Sequence, residues 1–377
     1  MSNNYGNIQI KRDSDAAKLI VQIGSKNKSE SLAAQETFAA FIGPVIQEVL
    51  DQAPVLGNLY GTDTFDEGTA PSVPLDPYRD VNDPAAIQVW SQNLPGGLAT
   101  SEVKGLDELF LSVFELDSAV SWQKKYAREA RVNVVANHMN AMAQGVLYKQ
   151  EVNAANILLK AISDATYDVN GTATRQVLRA ATAGTFSMDD INRLFTLAAR
   201  TKPARFGGTP VNGSQSLTHL GVSPEMIEQI RSIAYQPVNT RSGKVDTSGA
   251  TSLAAPDSVR SAVWNLAGTP SFFGIELVVM NELGKDRLYN KIFAKYAGST
   301  SYAGSSFSQS TEQIILALNL GGTNPLLKLQ ERGADGNTFS LNPDDQWTSR
   351  SDKVGFYGKV REGRAVLDSR GLMGLIS

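Results

Sequence analysis

Apolar positions recur along this chain with two different periods, and each change of period marks a boundary. Residues 1–34 are polar and of mixed charge, with one short amphipathic patch over 16–23. They read as an N-terminal arm that needs a partner to hold it. In 35–56, after Leu32, the residues Phe38, Phe41, Ile42, Val45, Ile46, Val49 and Leu50 fall mostly at steps of three and four. That spacing predicts a helix with one apolar face, broken or kinked at Gly43-Pro44. The texture then changes over 57–122. Gly, Pro, Asp and Thr crowd 57–84, and strand-like pieces follow at 86–90 and 106–122. In the longer piece Leu109, Leu111 and Val113 share one parity and Phe110, Phe114 and Leu116 the other, which predicts a strand covered on both faces. Structureless loops beyond about 15 residues are uncommon in compact domains, so the excursion reads as a long hairpin.

Beyond it, Val132, Val135, Met139, Met142 and Val146, then Ala155, Leu158, Leu159 and Ile162, predict a single helix over 123–166. At 1.5 Å per residue it would be about 65 Å long, a structural spine. The heptad does not hold past Val146, which argues against a coiled coil. From Tyr167 helical patterns at 188–200, 224–235 and 256–267 alternate with polar loops at 207–216, 239–252 and 298–310. Strands are expected at 274–280 and 313–320, and β-like pieces at 354–360, 364–368 and 372–376.

Composition narrows the chemistry. The 377 residues are 42% hydrophobic and 19% charged, enough for two or three lobes with true cores. There is no cysteine, so disulfides, thiolate nucleophiles and sulfur-ligated zinc are excluded. With only His138 and His219, a His-rich metal site within the chain is excluded as well, and no metal or cofactor is expected. Gly243-Lys244, Gly284-Lys285 and Gly358-Lys359 each lack the leading glycine and trailing hydroxyl of a phosphate loop. No nucleophile elbow or dinucleotide fingerprint occurs. Asp189-Asp190 reads as first-turn helix charge, and Asp344-Asp345 after Pro343 as a turn. No catalytic residue is assigned and the chain is read as no enzyme; a hydrolase working through Asp and Glu is the enzyme alternative. No apolar run of 18 residues and no signal-peptide core are present, so a soluble product without a membrane partner is expected.

The net charge of −3 conceals a split. Between Gly57 and Trp122 there are eleven acids, among them Asp76, Asp80 and Asp83, against Arg79 and Lys104, giving −9 and leaving +6 elsewhere. Lys124, Lys125, Arg128 and Arg131 fall at helical spacing, and Lys359, Arg361 and Arg364 lie in the late strands. A thin hairpin cannot bury Trp90, Phe110, Phe114 and Trp122 in its own subunit, so these fourteen residues are the candidate intersubunit interface. The acidic arm of one copy would dock on the basic patches of the next, with charge setting register and encounter rate more than affinity.

The order of parts resembles the major capsid proteins of tailed bacteriophages of the Hong Kong 97 type. The resemblance runs over essentially the whole chain and rests on architecture. Two stretches carry it locally, Thr269-Pro270-Ser271-Phe272-Phe273-Gly274-Ile275-Glu276-Leu277-Val278-Val279 and Lys353-Val354-Gly355-Phe356-Tyr357-Gly358-Lys359-Val360-Arg361-Glu362-Gly363. The resemblance implies an α+β, Hong Kong 97-like capsid fold. Its parts would be an N-arm (1–34), an N-terminal helix (35–56), an extended β-hairpin E-loop (57–122), a P-domain with the spine helix (123–185), a central A-domain (186–340) and P-domain return strands (341–377). It further implies self-assembly through pentamers and hexamers into an icosahedral shell around double-stranded DNA, in a virion assembled in the host cytoplasm. Scaffolding, portal and decoration proteins would be the other partners, and the packaged DNA would be touched non-specifically. Lys104 is the one lysine of the hairpin, and no crosslink is assigned to it. The same resemblance also accommodates an encapsulin-like nanocompartment with protein cargo.

Overall fold

Two helices open the described chain, α1 (Asp15–Ile23) and α2 (Lys28–Gln52), followed by a short turn of 3-10 helix (Gly57–Leu59). Next come β1 (Gly61–Asp66), β2 (Ser72–Pro74), β3 (Glu108–Phe110), β4 (Phe114–Gln123), α3 (Lys124–Arg128) and the long α4 (Val132–Asp164). Then follow β5 (Thr166–Val169), β6 (Thr172–Arg175), β7 (Val177–Arg179), α5 (Met188–Arg200), β8 (His219–Val222), α6 (Pro224–Ile233), β9 (Ser271–Phe272) and β10 (Ile275–Val279). The last group is α7 (Leu288–Ala297), β11 (Ser301–Tyr302), β12 (Ser305–Ser306), β13 (Ile314–Leu318), β14 (Leu326–Arg332), β15 (Ser340–Asp344), β16 (Lys353–Val366) and β17 (Leu372–Ile376). The structure, a computed structural model, describes residues 15–52, 55–74, 108–129, 131–169, 172–201, 217–233, 271–272, 274–321, 324–333, 336–344 and 352–377. The fold class is α+β, and the chain divides into two compact units.

The first unit comprises residues up to 71, 110–155 and 327–365. Its sheet runs β1-β14-β16-β15, with β4 on the other side of β16. The β16 positions 354, 356, 358 and 360 share one parity, and Val354, Phe356 and Val360 are buried there. They meet Trp122 of β4, which stacks on Phe356 at 5.3 Å, and Phe38 of α2, 5.6 Å from the same ring. Ile20 and Ile23 of α1, Ile42 and Ile46 of α2, and Val135, Met139 and Met142 of α4 close this core. Gly358 is required at its place: a Cβ there would lie 2.2 Å from Met142 Cε and 2.7 Å from Phe339 Cζ.

This unit corrects several expectations. The arm is not wholly in need of a partner, because α1 buries Ala16, Ala17, Ile20 and Ile23 within its own chain. Helix α2 begins at Lys28 and continues through Pro44. Ala40, whose carbonyl Pro44 cannot satisfy, lies on the exposed face where water can take the bond. The expected single helix over 123–166 is two, with a break between Arg128 and Val132. At 33 residues α4 is about 50 Å long. The range 57–122 is not one hairpin. Its ends, β1 and β4, are strands of this sheet: β1 pairs in parallel with β14, and β4 pairs antiparallel with β16 over ten residues. Among the described residues of this range β2 and β3 pair with each other, and a Leu111 N–H donating to the Pro71 carbonyl at 3.0 Å closes the chain beside them. β4 is covered on one face, with Leu116 and Trp122 buried while Glu115, Asp117 and Ala119 are exposed. The turn expected at Asp344 is strand β15, where Pro343 sits on a sheet edge that tolerates a missing N–H donor.

The second unit holds 72–109, 156–326 and 366–377. Its six-stranded sheet has the order β7-β17-β13-β8-β10-β9. Every residue of β13 and β17 is buried, the continuous apolar run of a strand covered on both sides. Leu194 and Leu197 of α5 and Met226 and Ile230 of α6 pack with Leu220, Val222, Ile315 and Leu375. The start of α5 follows from a capping box: Ser187 accepts from the Asp190 N–H, and the Asp190 carboxylate accepts from the Ser187 N–H. Asp190 is therefore more than first-turn charge. It is fully buried and also accepts from the Ala181 N–H at 2.9 Å. Residues 156–185 and 366–377 belong to this unit and 327–340 to the first. The strand at 86–90, the helix at 256–267 and the loops at 207–216 and 239–252 lie outside the described residues.

Candidate assembly interface

The fourteen candidate residues separate into four groups. Asp76, Asp80, Asp83 and Trp90 lie outside the described residues. Phe110, at the end of β3, is 70% exposed, an aromatic ring left in solvent by its own chain. Phe114 is half-buried, packed on the first unit's core.

A second group is withdrawn from the surface. Trp122 is 3% exposed and stacked on Phe356, since the even positions of β4 face inward. Lys124 is 9% exposed. Arg364 is buried with Glu362, its Nε 3.3 Å from Glu362 Oε1, while Gln150 of α4 donates to the same carboxylate at 3.1 Å. The Arg364 guanidinium lies 5.0 Å over the Tyr60 ring. These three lie in the interior of the subunit. A buried charge without such partners would cost several kcal/mol.

The third group is exposed but already paired within the chain. Lys125 lies 3.7 Å and Arg131 2.8 Å from the Glu129 carboxylate. Arg128 donates from Nε to the Gly24 carbonyl at 2.9 Å and reaches Asp352 at 3.3 Å. The fourth group is a strip of alternating charge on the outward face of β4 and β16. Lys359 Nζ stands 2.7 Å from Glu115, while Arg361 stands 3.8 Å from Glu115 and 2.5 Å from Glu331 of β14. The Glu115 hydrogen bond raises the Lys359 pKa above its ordinary value. Beside them the Tyr357 hydroxyl donates to Asp117, which, with partial burial and the charges of Asp117 and Glu115, pushes the phenol up to about 12. Part of the charge complementarity expected between copies is thus satisfied inside one copy, because the antiparallel register sets Glu115 opposite Arg361 and Asp117 opposite Lys359.

Exposed apolar side chains outside the candidate set include, among the described residues, Phe41 at 54%, Tyr148 at 59% and Val55 at 46%. Phe41 carried a readable signal: it falls off the Phe38–Ile42–Ile46 stripe that faces the core. Residues 132–147 of α4 contain no Asp, Glu, Lys or Arg, and Asn133, Asn137, Ala141, Gln144 and Gly145 form its exposed face. Among the described residues no three His, Asp or Glu side chains converge as a metal site, and no helix is long and apolar enough to cross a membrane. Both histidines have local partners, His138 the Val134 carbonyl at 2.6 Å and His219 the Glu276 carboxylate at 3.3 Å.

No family model matches the sequence, and no curated protein matches it in sequence. The fold is similar to several solved structures at low identity. A cyanophage P-SCSP1u capsid structure is 13% identical with a TM-score of 0.49, covering 86% of this chain and 88% of that one. The SrpI encapsulin of Synechococcus elongatus is 12% identical with a TM-score of 0.45, covering 85% of each chain. A virus-like particle from Pyrococcus furiosus is 8% identical with a TM-score of 0.44, covering 90% of this chain and 99% of that one.

Proposed function

We propose that this chain is a capsid-type shell subunit, a major capsid protein that self-assembles through pentamers and hexamers into an icosahedral shell. Its cargo is the double-stranded DNA of a tailed phage. Its place is the virion, with assembly in the host cytoplasm, and scaffolding, portal and decoration proteins are its further partners. The work is structural, and no catalytic residue is assigned.

The observation that carries the reading is the paired stem of β2 and β3. It leaves the first unit's sheet after β1, returns to it before β4, and ends in an aromatic ring that is 70% exposed. A large apolar side chain left in water is stabilised by contact with another surface. The order of helix pair, hairpin stem, 33-residue helix, second sheet and return strand supports the same reading. The acidic excursion, with Asp76, Asp80 and Asp83, is proposed to lie on an adjacent copy.

Negative-stain microscopy of the purified protein tests this. Uniform closed shells or capsomer rings are expected, and nucleic acid recovered from shells made in cells distinguishes a phage capsid from a nanocompartment with protein cargo. A persistent monomer across salt, pH and concentration would overturn the proposal.

A further inference from the structure

Helix α2 is apolar on two sides, and among the described residues only one of them is covered. Toward the first unit's core it presents Phe38, Ile42 and Ile46, all buried. On the other side Ala33, Thr37, Ala40, Phe41 and Pro44 recur at helical spacing and are all exposed. They form a stripe about 17 Å long, without a charged residue in it. Phe41 keeps 54% of its surface in water. The stripe's one side-chain polar group is satisfied within the helix, since the Thr37 hydroxyl donates to the Ala33 carbonyl at 2.8 Å. A helix apolar on every side is ordinarily buried on every side, so the stripe calls for a covering surface.

The shape and flanks of the stripe select its occupant. Phe41 is its one bulky side chain, Ala33 lies two turns before it, and Thr37 stands midway. A second α2 running antiparallel, related by a twofold axis at Thr37, seats each Phe41 ring against the other copy's Ala33, large on small at both ends. The flanking charges agree with that direction. Lys26 and Lys28 stand at the start of α2 and no cation follows to its end, whereas Glu48 lies near that end. The antiparallel pair lays the basic start of one helix beside the acidic end of the other, and a parallel pair would set like on like. Glu36 stands exposed at the rim, where repulsion between copies is screened. The Ala40 carbonyl, which Pro44 cannot satisfy, takes a water bridging the contact.

We propose that α2 packs antiparallel on α2 of a second copy through this stripe, about a twofold axis at Thr37. The inference rests on the shell reading. One short helix face falls well below the roughly 800 Å² per partner of a stand-alone interface, so the contact holds where other contacts already bring copies together.

The chain has no cysteine, so one introduced thiol reports alone. Particles of Thr37→Cys and of Ala33→Cys are oxidised under the same conditions and resolved without reductant. Thr37→Cys should give a disulfide-linked dimer, because its twofold mate is the same residue. Ala33→Cys should lose that dimer, because its mate is Phe41, and particles mixing Ala33→Cys with Phe41→Cys chains should regain it. No linkage in Thr37→Cys, or equal linkage in Thr37→Cys and Ala33→Cys, would overturn the proposal. A benzophenone amino acid in place of Phe41 tests the other occupants. Products joined to α2 of another copy support the pair, and products joined instead to residues 1–14 or 75–107 would overturn it. Closed shells without Thr37→Cys linkage would remove this contact and leave the proposed function intact. Linkage in a preparation without shells would keep the contact and remove the proposed function.

Discussion

At the scale of single residues, two positions on β16 make opposite demands on their surroundings. Gly358 lies where Met142 and Phe339 converge, and any side chain there displaces them. The Met142 terminus can swing aside, but the Phe339 ring is held in the core, so Gly358→Ala should cost about 1–3 kcal/mol through overpacking. A lower urea midpoint at unchanged slope is the expected result, and an unchanged midpoint would show that the core yields freely. Tyr357 faces outward, and its demand is electrostatic. Its hydrogen bond to Asp117, then partial burial and the nearby carboxylates favour the neutral phenol, with a folded value of about 12 against an ordinary 10. The folded value lies above the unfolded one, so this contribution is whole below pH 10 and disappears as pH climbs toward 12. A difference titration of tyrosine absorbance should therefore show one phenol of wild type ionising at higher pH than in Asp117→Ala. Superimposable curves would remove Asp117 as the cause.

At the scale of elements, those whose signals are local are legible in the sequence. The expected helix over 188–200 matches α5, because Ser187 and the two aspartates form a start signal visible within four residues. The apolar runs that became β13 and β17 were equally legible. Strand β1 was not, because its composition, Gly-Thr-Asp-Thr-Phe-Asp, is that of an exposed edge and its strand character comes from pairing with β14, more than 260 residues away. Nor was α7, ten residues whose buried Asn290 breaks the apolar stripe to accept from Ile314 N and donate to the Glu312 carbonyl. The candidate site divides in the same way. The charges of 353–370 were visible in the chain, whereas their pairing with Glu115 and Glu331 is a matter of sheet register, which local sequence does not encode. The cap of α5 offers a test at this scale. Ser187→Ala removes a hydroxyl that donates to Asp190 at 2.7 Å and should cost about 1 kcal/mol. Amide exchange in the first turn should then rise roughly fivefold, with little change in α6. Asp190→Ala should cost more, because the Ala181 and Ser187 N–H groups both lose their acceptor. Equal effects of the two substitutions would refute the reciprocal cap.

At the scale of the whole molecule, the near-zero net charge says little, because many of the described charges cancel within the chain. Cations once assigned to a neighbour's acidic arm hold Glu115, Glu129, Glu331, Glu362 and Asp352 of their own subunit. That shifts the weight of the assembly argument from charge to exposed apolar surface. Phe110 is its sharpest instance. With 70% of its surface in water it contributes little to the subunit, so Phe110→Asp should leave the thermal midpoint of the unassembled protein nearly unchanged. Buried in a contact between copies, the same ring would contribute about 1.5–3 kcal/mol, so its loss should weaken each contact roughly tenfold to a hundredfold. A closed shell repeats every contact, and the protein concentration at which light scattering reports assembly should rise steeply. Replacing Asp76, Asp80 and Asp83 together with lysine tests the electrostatic share, and by the same reasoning should slow assembly and change its salt dependence more than it raises that threshold. If Phe110→Asp assembles at the wild-type threshold, the exposed ring lies outside the contacts, and the hairpin stem loses its claim to join copies.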